Sequence, residues 1–206
     1  MTGLFITFEG IDGVGKSTQA NLLQAYLEQL GHEVIRTLEP GGTELGQEIR
    51  QLLLHRKGEV APRAEALLFS ADRAHHVATK IRPALADGKV VISDRYFDSS
   101  VAYQGAGRAL SMEEVREINI WAVGGLLPNL TVLLDLDAES ARQRRSGTGQ
   151  APDRIEREKL EYFEATREAF LALAAAEPER FFVVSAEQSV DQMQAQIRAR
   201  LNQLLG

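Results

Sequence analysis

The sequence predicts an α/β protein built on a parallel β-sheet, and three observations support this. Apolar segments typical of buried strands alternate along the chain with segments of helical periodicity, which predicts βαβ units. A glycine-rich turn separates the first strand from the first helix. A chain of 206 residues, 44% of them hydrophobic, can form a substantial core. With no linker long enough to divide it, we expect one domain over residues 1–206.

The composition excludes several classes of protein. A net charge of −6 argues against nucleic-acid binding, which normally requires a basic surplus to meet the phosphate backbone. The absence of cysteine excludes disulfides, thiolate zinc sites and cysteine nucleophiles. No apolar run approaches the length of a membrane span, and the start MTGLFITFEG lacks the basic region of a secretion signal. We therefore expect a soluble, cytoplasmic protein that binds neither membranes nor nucleic acids.

The first strand leads into a phosphate-binding loop. Gly10, Gly15, Lys16 and Ser17 fill the pattern G-x-x-x-x-G-K-[ST]. Glycines let successive N–H groups curl around a phosphate, the lysine reaches the β- and γ-phosphates, and the serine hydroxyl can ligate Mg²⁺. The alternative is a plain glycine-rich turn, but the strand before and the helix after favour a nucleotide site. The residues assigned to ATP are Gly10, Ile11, Asp12, Gly13, Val14, Gly15, Lys16, Ser17 and Thr18.

Hydrophobic spacing defines the elements of the N-terminal half. We predict a helix at 17–30, a strand at 33–38, a turn at 39–43, helical structure at 45–53, a helix from 62 to 85 and a strand at 89–93. Pro62 suits a first helical turn, whereas Pro83 is expected to bend its helix. The run KVVIS is continuously apolar, which is typical of a strand buried on both faces of a parallel sheet.

The C-terminal half continues the alternation. We predict a helix at 96–104 with a break at 105–107, a helix from the N-cap Ser111 to 121, a strand at 130–136, a helix at 138–145, a mobile loop at 146–152, a helix at 154–176, a strand at 180–185 and a helix at 190–205. Glu114 stands three residues after Ser111 and completes a capping box. Because ligands of parallel sheets bind beyond the carboxyl ends of the strands, the motifs should meet on one rim.

Asp94 and Arg95 follow the strand KVVIS on that rim. The carboxylate is placed to order Mg²⁺ or its waters, and the guanidinium can grip a second phosphate with two hydrogen bonds. A capping aspartate beside a surface arginine is the structural alternative. Phe69 and Arg73 lie at i and i+4, so a ring and a guanidinium on one helix face could hold a planar base. Taken alone, a core phenylalanine with an exposed arginine explains that pair better.

Arginines flank the glycine- and serine-rich segment SGTGQAP. They are Arg142, Arg144, Arg145 and Arg154, and they define a candidate lid at about 142–156. Such a lid could close over ATP, exclude water and stabilise transition-state charge. A solvated basic face is the alternative for any one of them. The four histidines show no metal-ligand spacing, so we interpret His32, His55, His75 and His76 as surface or helix residues.

Joined in order, these motifs resemble the thymidylate kinase family over essentially the whole chain. The resemblance rests on FEGIDGVGKST, EPGGT, LLFSADRAHH, VVISDRYFDSSVAYQGAGR and PDRIE. It implies a P-loop nucleoside monophosphate kinase fold with a five-stranded parallel sheet in the order 2-3-1-4-5. It also implies a homodimer that transfers the γ-phosphate of ATP to dTMP with Mg²⁺ as cofactor. One departure is Leu38, which replaces an arginine usual before EPGGT, so any anion contact there is lost or supplied by another residue.

The resemblance also implies roles for individual residues. The dTMP site would comprise Asp12, Phe69, Arg73, Arg95, Ser100, Tyr103 and Gln104, with Phe69 stacked on thymine, Arg73 at the base edge, Arg95 on the phosphate, and Tyr103 where a ribose 2′-hydroxyl would lie. The catalytic set would be Lys16, Arg95, Asp12, Arg145 and Arg154. Arg144 would pack on adenine, and the metal ligands would be Ser17, Asp94 and Glu156, the acid at the lid end.

Other functions stay open at this point. Another P-loop nucleotide or nucleoside kinase is the nearest alternative, although a nucleoside acceptor would need no phosphate clamp such as Arg95. A GTPase switch would read guanine with an N-K-x-D motif, which the sequence lacks. A third alternative is a module that senses nucleotides without turnover. The sequence does not separate it from the enzyme, whereas an acceptor competition assay would.

Overall fold

A computed structural model describes residues 3–147, 149 and 151–205, and its described strands form one parallel sheet. The strands are β1 (Leu4–Glu9), β2 (Val34–Leu38), β3 (Val90–Asp94), β4 (Leu130–Asp135) and β5 (Phe181–Ser185). Their order across the sheet is β2-β3-β1-β4-β5, which confirms the order implied by the resemblance. The central strands β1, β3 and β4 are almost wholly buried, as expected of apolar strands covered by helices on both faces.

Helices connect and cover these strands. They are α1 (Lys16–Gln29), α2 (Glu44–Arg50), α3 (Pro62–His76), α4 (Arg82–Ala86), α5 (Phe97–Ser100), α6 (Met112–Ala122), α7 (Ala138–Ser146), α8 (Leu160–Ala176) and α9 (Val190–Leu205). Three π-helical segments extend α2, α3 and α5, at Gln51–His55, Val77–Ile81 and Val101–Gly107. Ser111 caps α6 as predicted, its hydroxyl accepting from the Glu114 N–H at 3.2 Å. Within the described ranges, no helix is long and apolar enough to cross a bilayer.

The structure corrects two predicted element boundaries. The predicted break at 105–107 is wrong, because helical structure continues through Gly107. Gly105 and Gly107 in this segment allow close packing. For example, a Cβ on Gly107 would lie 2.6 Å from the Tyr162 ring. The helix predicted from residue 154 begins at Leu160 instead. Before it, the Asp153 carboxylate accepts the N–H groups of residues 155 and 156, both at 2.8 Å, and stabilises a turn in place of helix.

The register of the sheet brings three loops to one level. Asp94 of β3 pairs with Phe8 of β1 and with Leu38 of β2, so the segments that follow these strands begin side by side. The Arg95 N–H then donates to the Phe8 carbonyl at 2.9 Å. The loop after β1, the turn after β2 and the Arg95 segment therefore share the carboxyl edge of the sheet.

Candidate active site

The loop between β1 and α1 wraps the side chain of Lys16. Its ammonium donates to the carbonyls of Gly10 at 3.0 Å and Ile11 at 2.9 Å. Gly13 has φ +93° and lies against α7, where a Cβ would come within 2.2 Å of the Ala141 carbonyl oxygen. Burial, with the Arg95 charge, lowers the pKa of Lys16. The loop is thus a tight cradle with a cation at its mouth, the geometry that holds phosphates.

Two adjoining clefts open at the carboxyl edge of the sheet. The P-loop cleft is lined by Asp12, Gly13, Gly15, Lys16, Ser17, Thr18, Leu38, Glu39, Arg50, His55, Asp94, Arg95, Arg144, Arg145, Ala151, Asp153 and Glu156. The Phe69 cleft, about 640 Å³, is lined by Asp12, Glu39, Pro40, Arg50, Leu54, Phe69, Arg73, Arg95, Ser99, Ser100, Tyr103, Gln104, Asp153, Ile155 and Glu156. The two clefts meet where their linings overlap, and Asp12 and Arg95 lie in this overlap together with Glu39, Arg50, Asp153 and Glu156.

Oxygen donors suited to Mg²⁺ lie at the rim of the P-loop cleft. The Ser17 hydroxyl donates to the Asp94 carboxylate at 2.7 Å, beside Lys16. Hydroxyl and carboxylate oxygens fit this hard cation, which takes few protein ligands when nucleotide phosphates supply the rest. Glu156 fits less well, because both its oxygens accept from Arg145, at 2.6 and 2.8 Å. Among the described residues, no cluster of three or more acidic, histidine or cysteine side chains forms a metal site.

Arg73 is buried in the Phe69 cleft, with 1% of its surface exposed. The structural alternative, a core Phe69 beside an exposed Arg73, is therefore wrong about the exposure of Arg73. Its Nε donates to Glu39 at 2.6 Å, Nη1 to Ser100 at 3.0 Å and to Asn119, and Nη2 to the Tyr96 carbonyl at 3.1 Å. These hydrogen bonds to four different residues hold the guanidinium in one orientation.

A second partner of Glu39 is one of the four histidines that the sequence analysis interprets as surface or helix residues. His76 is fully buried in α3, with Nδ1 2.8 Å from Glu39 and Nε2 2.6 Å from the Thr37 hydroxyl. It braces the carboxylate that holds Arg73. Nothing in its spacing in the sequence could have shown this, since the partners come from β2 and the following turn.

Arg95 is the central cation of the site. Its Nη2 donates to Asp12 at 2.7 Å and to the Tyr103 hydroxyl at 3.0 Å, and its Nη1 to the Gly10 carbonyl at 3.0 Å. Burial disfavours ionisation of Asp12, but the charges of Arg95 and Lys16 outweigh it and hold the pKa of its carboxyl below the usual range. The site therefore keeps a fixed carboxylate–guanidinium pair between the two clefts.

The arginines of the lid segment differ in position. Arg144 donates to the Ala186 carbonyl at 2.8 Å, and Arg145 pairs with Glu156; both line the P-loop cleft. Arg142 is exposed and pairs with Glu139. Arg154 lines neither of the two clefts in the described part of the chain, because its guanidinium donates to Glu65 at 2.5 Å and to the Leu53 carbonyl at 2.8 Å. Thr148 and Gln150 of the predicted mobile loop lie outside the described residues.

Sequence reasoning missed Arg50, which lines both clefts from the end of α2. Its Nη1 donates to the Pro40 carbonyl at 2.7 Å. Leu38 borders the P-loop cleft with Arg50, so a guanidinium is present near the place where this chain lacks the usual arginine. No sequence signal distinguished Arg50 from an exposed helix residue, because only the packing of α2 turns it inward.

Comparisons with known proteins agree with this geometry. A family model described as "Thymidylate kinase" matches residues 8–197. A thymidylate kinase of Clavibacter sepedonicus is 60% identical over 205 residues, covering 100% of this chain and 97% of that protein. One of Leifsonia xyli is 61% identical over 200 residues, 97% of this chain and 95% of that one. The crystal structure of thymidylate kinase from Ehrlichia chaffeensis superposes with a TM-score of 0.81 at 30% identity, covering 98% and 100% of the two chains.

Proposed function

Because this chain belongs to the thymidylate kinase family, we propose that it transfers the γ-phosphate of ATP to dTMP, giving dTDP and ADP, within a single domain. It is an ATP-dependent nucleoside monophosphate kinase, and another kinase specificity is not favoured. The observation that carries the proposal is the meeting of the P-loop cleft and the Phe69 cleft at Asp12 and Arg95. A donor and an acceptor bound in these clefts would bring two phosphates together there.

The Phe69 cleft would hold dTMP. The Phe69 ring would stack on thymine, with Arg73 and Gln104 at the polar edge of the base and Ser100 beside it. The Tyr103 hydroxyl lies 3.0 Å from Arg95 and 3.4 Å from Asp12, at the sugar and phosphate end. It would occupy the space of a ribose 2′-hydroxyl and so favour a deoxynucleotide.

The P-loop cleft would hold ATP. Gly10, Ile11, Gly13, Val14, Gly15 and Thr18 belong to the loop whose backbone would surround the phosphates, and Arg144 would pack on adenine. Lys16 would move its ammonium from the loop carbonyls onto the β- and γ-phosphates. Ser17 and Asp94 would hold Mg²⁺, which supplies charge neutralisation between those phosphates.

Catalysis of phosphoryl transfer depends mainly on positioning the reacting groups and stabilising their charge, so the arginines matter most. Arg95, fixed by Asp12, would align the acceptor phosphate, and Arg50 would add a second cation on that side. Arg145 would serve as the lid arginine on the transferring group, since it borders the P-loop cleft. Arg154 would fasten the lid to Glu65 rather than touch phosphate. The Arg145–Glu156 pair leaves Glu156 to orient that arginine rather than to ligate metal.

A homodimer is the assembly that we propose. Trp121 of α6 is 83% exposed, and Ile118, one turn before it, is exposed as well. Leu67 of the neighbouring helix α3 is a further exposed apolar side chain. Large apolar residues on two adjacent helices are typical of a surface covered by another protein chain. The cytoplasm, where ATP is formed and consumed, is the location that we propose for the reaction.

An acceptor competition assay tests this function. With ATP and Mg²⁺, the purified protein should form ADP faster with dTMP than with dUMP, dCMP, AMP or GMP. Binding of dTMP without any ADP formation would instead indicate a sensing module. A clear preference for another of these acceptors would overturn the proposal.

A further inference from the structure

Glu65 of α3 is a fully buried carboxylate that belongs to neither cleft. Its Oε1 accepts from Gln104 Nε2 and Arg108 Nε, both at 3.1 Å. Its Oε2 accepts from Arg108 Nη2 at 3.2 Å and Arg154 Nη2 at 2.5 Å. Burial alone would raise the pKa of Glu65, but these two guanidiniums lower it, so the carboxylate is ionised at neutral pH.

An ionised carboxylate can only accept hydrogen bonds, and this fixes which end of the Gln104 amide faces it. The amide nitrogen must point to Glu65, because turning the amide over would bring its oxygen against a negative oxygen. Gln104 lines the Phe69 cleft, and none of the described residues donates to its Oε1. Glu65 therefore leaves the amide oxygen of Gln104 available to a ligand as an acceptor.

Arg73 provides the complementary group in the same cleft. A guanidinium carries donors and no acceptor, and the bonds to Glu39, Ser100 and Asn119 keep Arg73 in place. Arg73 and Gln104 thus offer the cleft a fixed donor and an oriented acceptor. A pyrimidine with a 4-oxo group and a 3-N–H matches both. Cytosine reverses both positions, with a 4-amino donor and an N3 acceptor.

We propose that Glu65 is a positioning residue for base selection: it orients the Gln104 amide so that the Phe69 cleft accepts thymine or uracil and rejects cytosine. This inference rests on the proposed function, because it assigns the base of the acceptor to that cleft. Glu65 does not contact the base itself and acts through Gln104. The 5-methyl group, which distinguishes thymine from uracil, is not involved.

The test is the acceptor selectivity of Glu65→Gln. A neutral amide at position 65 can donate as well as accept, so Gln104 becomes free to turn its nitrogen towards the cleft. The ratio of kcat/KM for dTMP to that for dCMP should fall by about 10- to 100-fold relative to the unsubstituted protein. The ratio for dTMP to dUMP should stay within about twofold, because both bases carry the same polar edge.

Arg108→Gln is the matched control. Arg108 donates to the same carboxylate and to Glu158 but lines neither cleft in the described structure. Its replacement removes the ion pair of Arg108 with Glu65, while Arg154 still pairs with Glu65 and Glu65 still faces Gln104. Both acceptor ratios should then stay within about twofold of the unsubstituted protein. A loss of dTMP-to-dCMP selectivity as large as in Glu65→Gln would show that general loosening, and not the orientation of Gln104, sets the selectivity.

Folding of each variant is checked by circular dichroism and thermal melting. If Glu65→Gln does not fold, Glu65→Asp tests the inference instead, because it keeps the charge but retracts the carboxylate from Gln104. The dTMP-to-dCMP ratio of kcat/KM of this variant should fall at least about threefold. A folded Glu65 variant that retains full selectivity against dCMP overturns the inference. If the unsubstituted protein itself prefers another acceptor, the proposed function fails instead, so the two failures are distinguishable.

Discussion

Arg95 adopts a backbone conformation that residues other than glycine seldom adopt, with φ +70°. Such strain persists only where the surroundings enforce it, and it is typical of functional sites. Here Glu9, fully buried at the end of β1, accepts from the Tyr96 N–H at 2.8 Å and from the Ser99 hydroxyl at 2.6 Å. Ser99 in turn accepts from Arg95 at 2.9 Å. A carboxyl group outside both clefts therefore holds the segment that carries the phosphate-binding cation.

Glu9 also makes the stability of the protein depend on pH. Burial, together with the nearby Asp98 charge, raises the pKa of Glu9 from 4.5 to about 8, although Arg95 opposes the shift. Between these values the folded state keeps a proton that the unfolded chain has released, so stability falls as pH rises. Glu9→Gln removes this dependence. Relative to the unsubstituted protein, its free energy of unfolding should increase from pH 5 to pH 8, by at most about 1.4 kcal/mol per pH unit.

Urea unfolding at several pH values measures that difference. Other titrating groups, such as Asp72, occur in both proteins, so their contributions largely cancel in the comparison. A difference between the two proteins that does not change with pH would contradict the raised pKa of Glu9.

At the scale of elements, the phosphate loop depends on its contact with α7. Gly13 and Gly15 both have positive φ, +93° and +97°, so alanine is strained at either position. The two positions differ in the room available for a side chain. A Cβ on Gly13 would lie 2.2 Å from the Ala141 carbonyl oxygen, whereas a Cβ on Gly15 would have no neighbour within 4 Å. The helix that begins the lid segment is thus packed directly on the loop that would bind ATP.

This difference predicts unequal costs for two similar substitutions. Gly13→Ala must displace the backbone of α7, so it should lower the free energy of unfolding by about 1–3 kcal/mol more than Gly15→Ala. Denaturant unfolding of the two variants measures the difference without reference to activity. Equal losses of stability would show that the loop and α7 adjust to each other more easily than their contact implies.

At the scale of the whole molecule, the exposed apolar residues Trp121 and Ile118 predict association. Trp121→Glu places a charge in the proposed interface and should convert the homodimer to a monomer, measured by sedimentation equilibrium. Val190→Glu is the control, because Val190 is a 44% exposed apolar residue at the start of α9, and it should remain dimeric. A Trp121→Glu protein that is still dimeric at micromolar concentration would exclude this surface as the interface.

The site could be predicted from the sequence wherever a local pattern carries the chemistry. The phosphate loop, the residues Asp94 and Arg95, and Phe69 with Arg73 each stand in a short motif, and the structure brings them to adjoining clefts. The roles of Glu9, Glu39, Glu65 and His76 could not be found in this way, although all but Glu65 stand within the quoted motifs. Each is buried and acts on a partner from a distant segment, so neither its identity nor its neighbours in the chain signals its role.

The sequence by itself determined the alternation of strands and helices, because periodicity and glycine punctuation are local properties of the chain. It also determined the phosphate loop, whose glycines and lysine stand next to one another. The tertiary structure decided how cations are shared among partners: Arg154 is held by Glu65, Arg145 by Glu156, and Arg50 turns towards both clefts. The reason is that an arginine's partner depends on which helices pack together, and this packing follows from contacts between residues far apart in the chain.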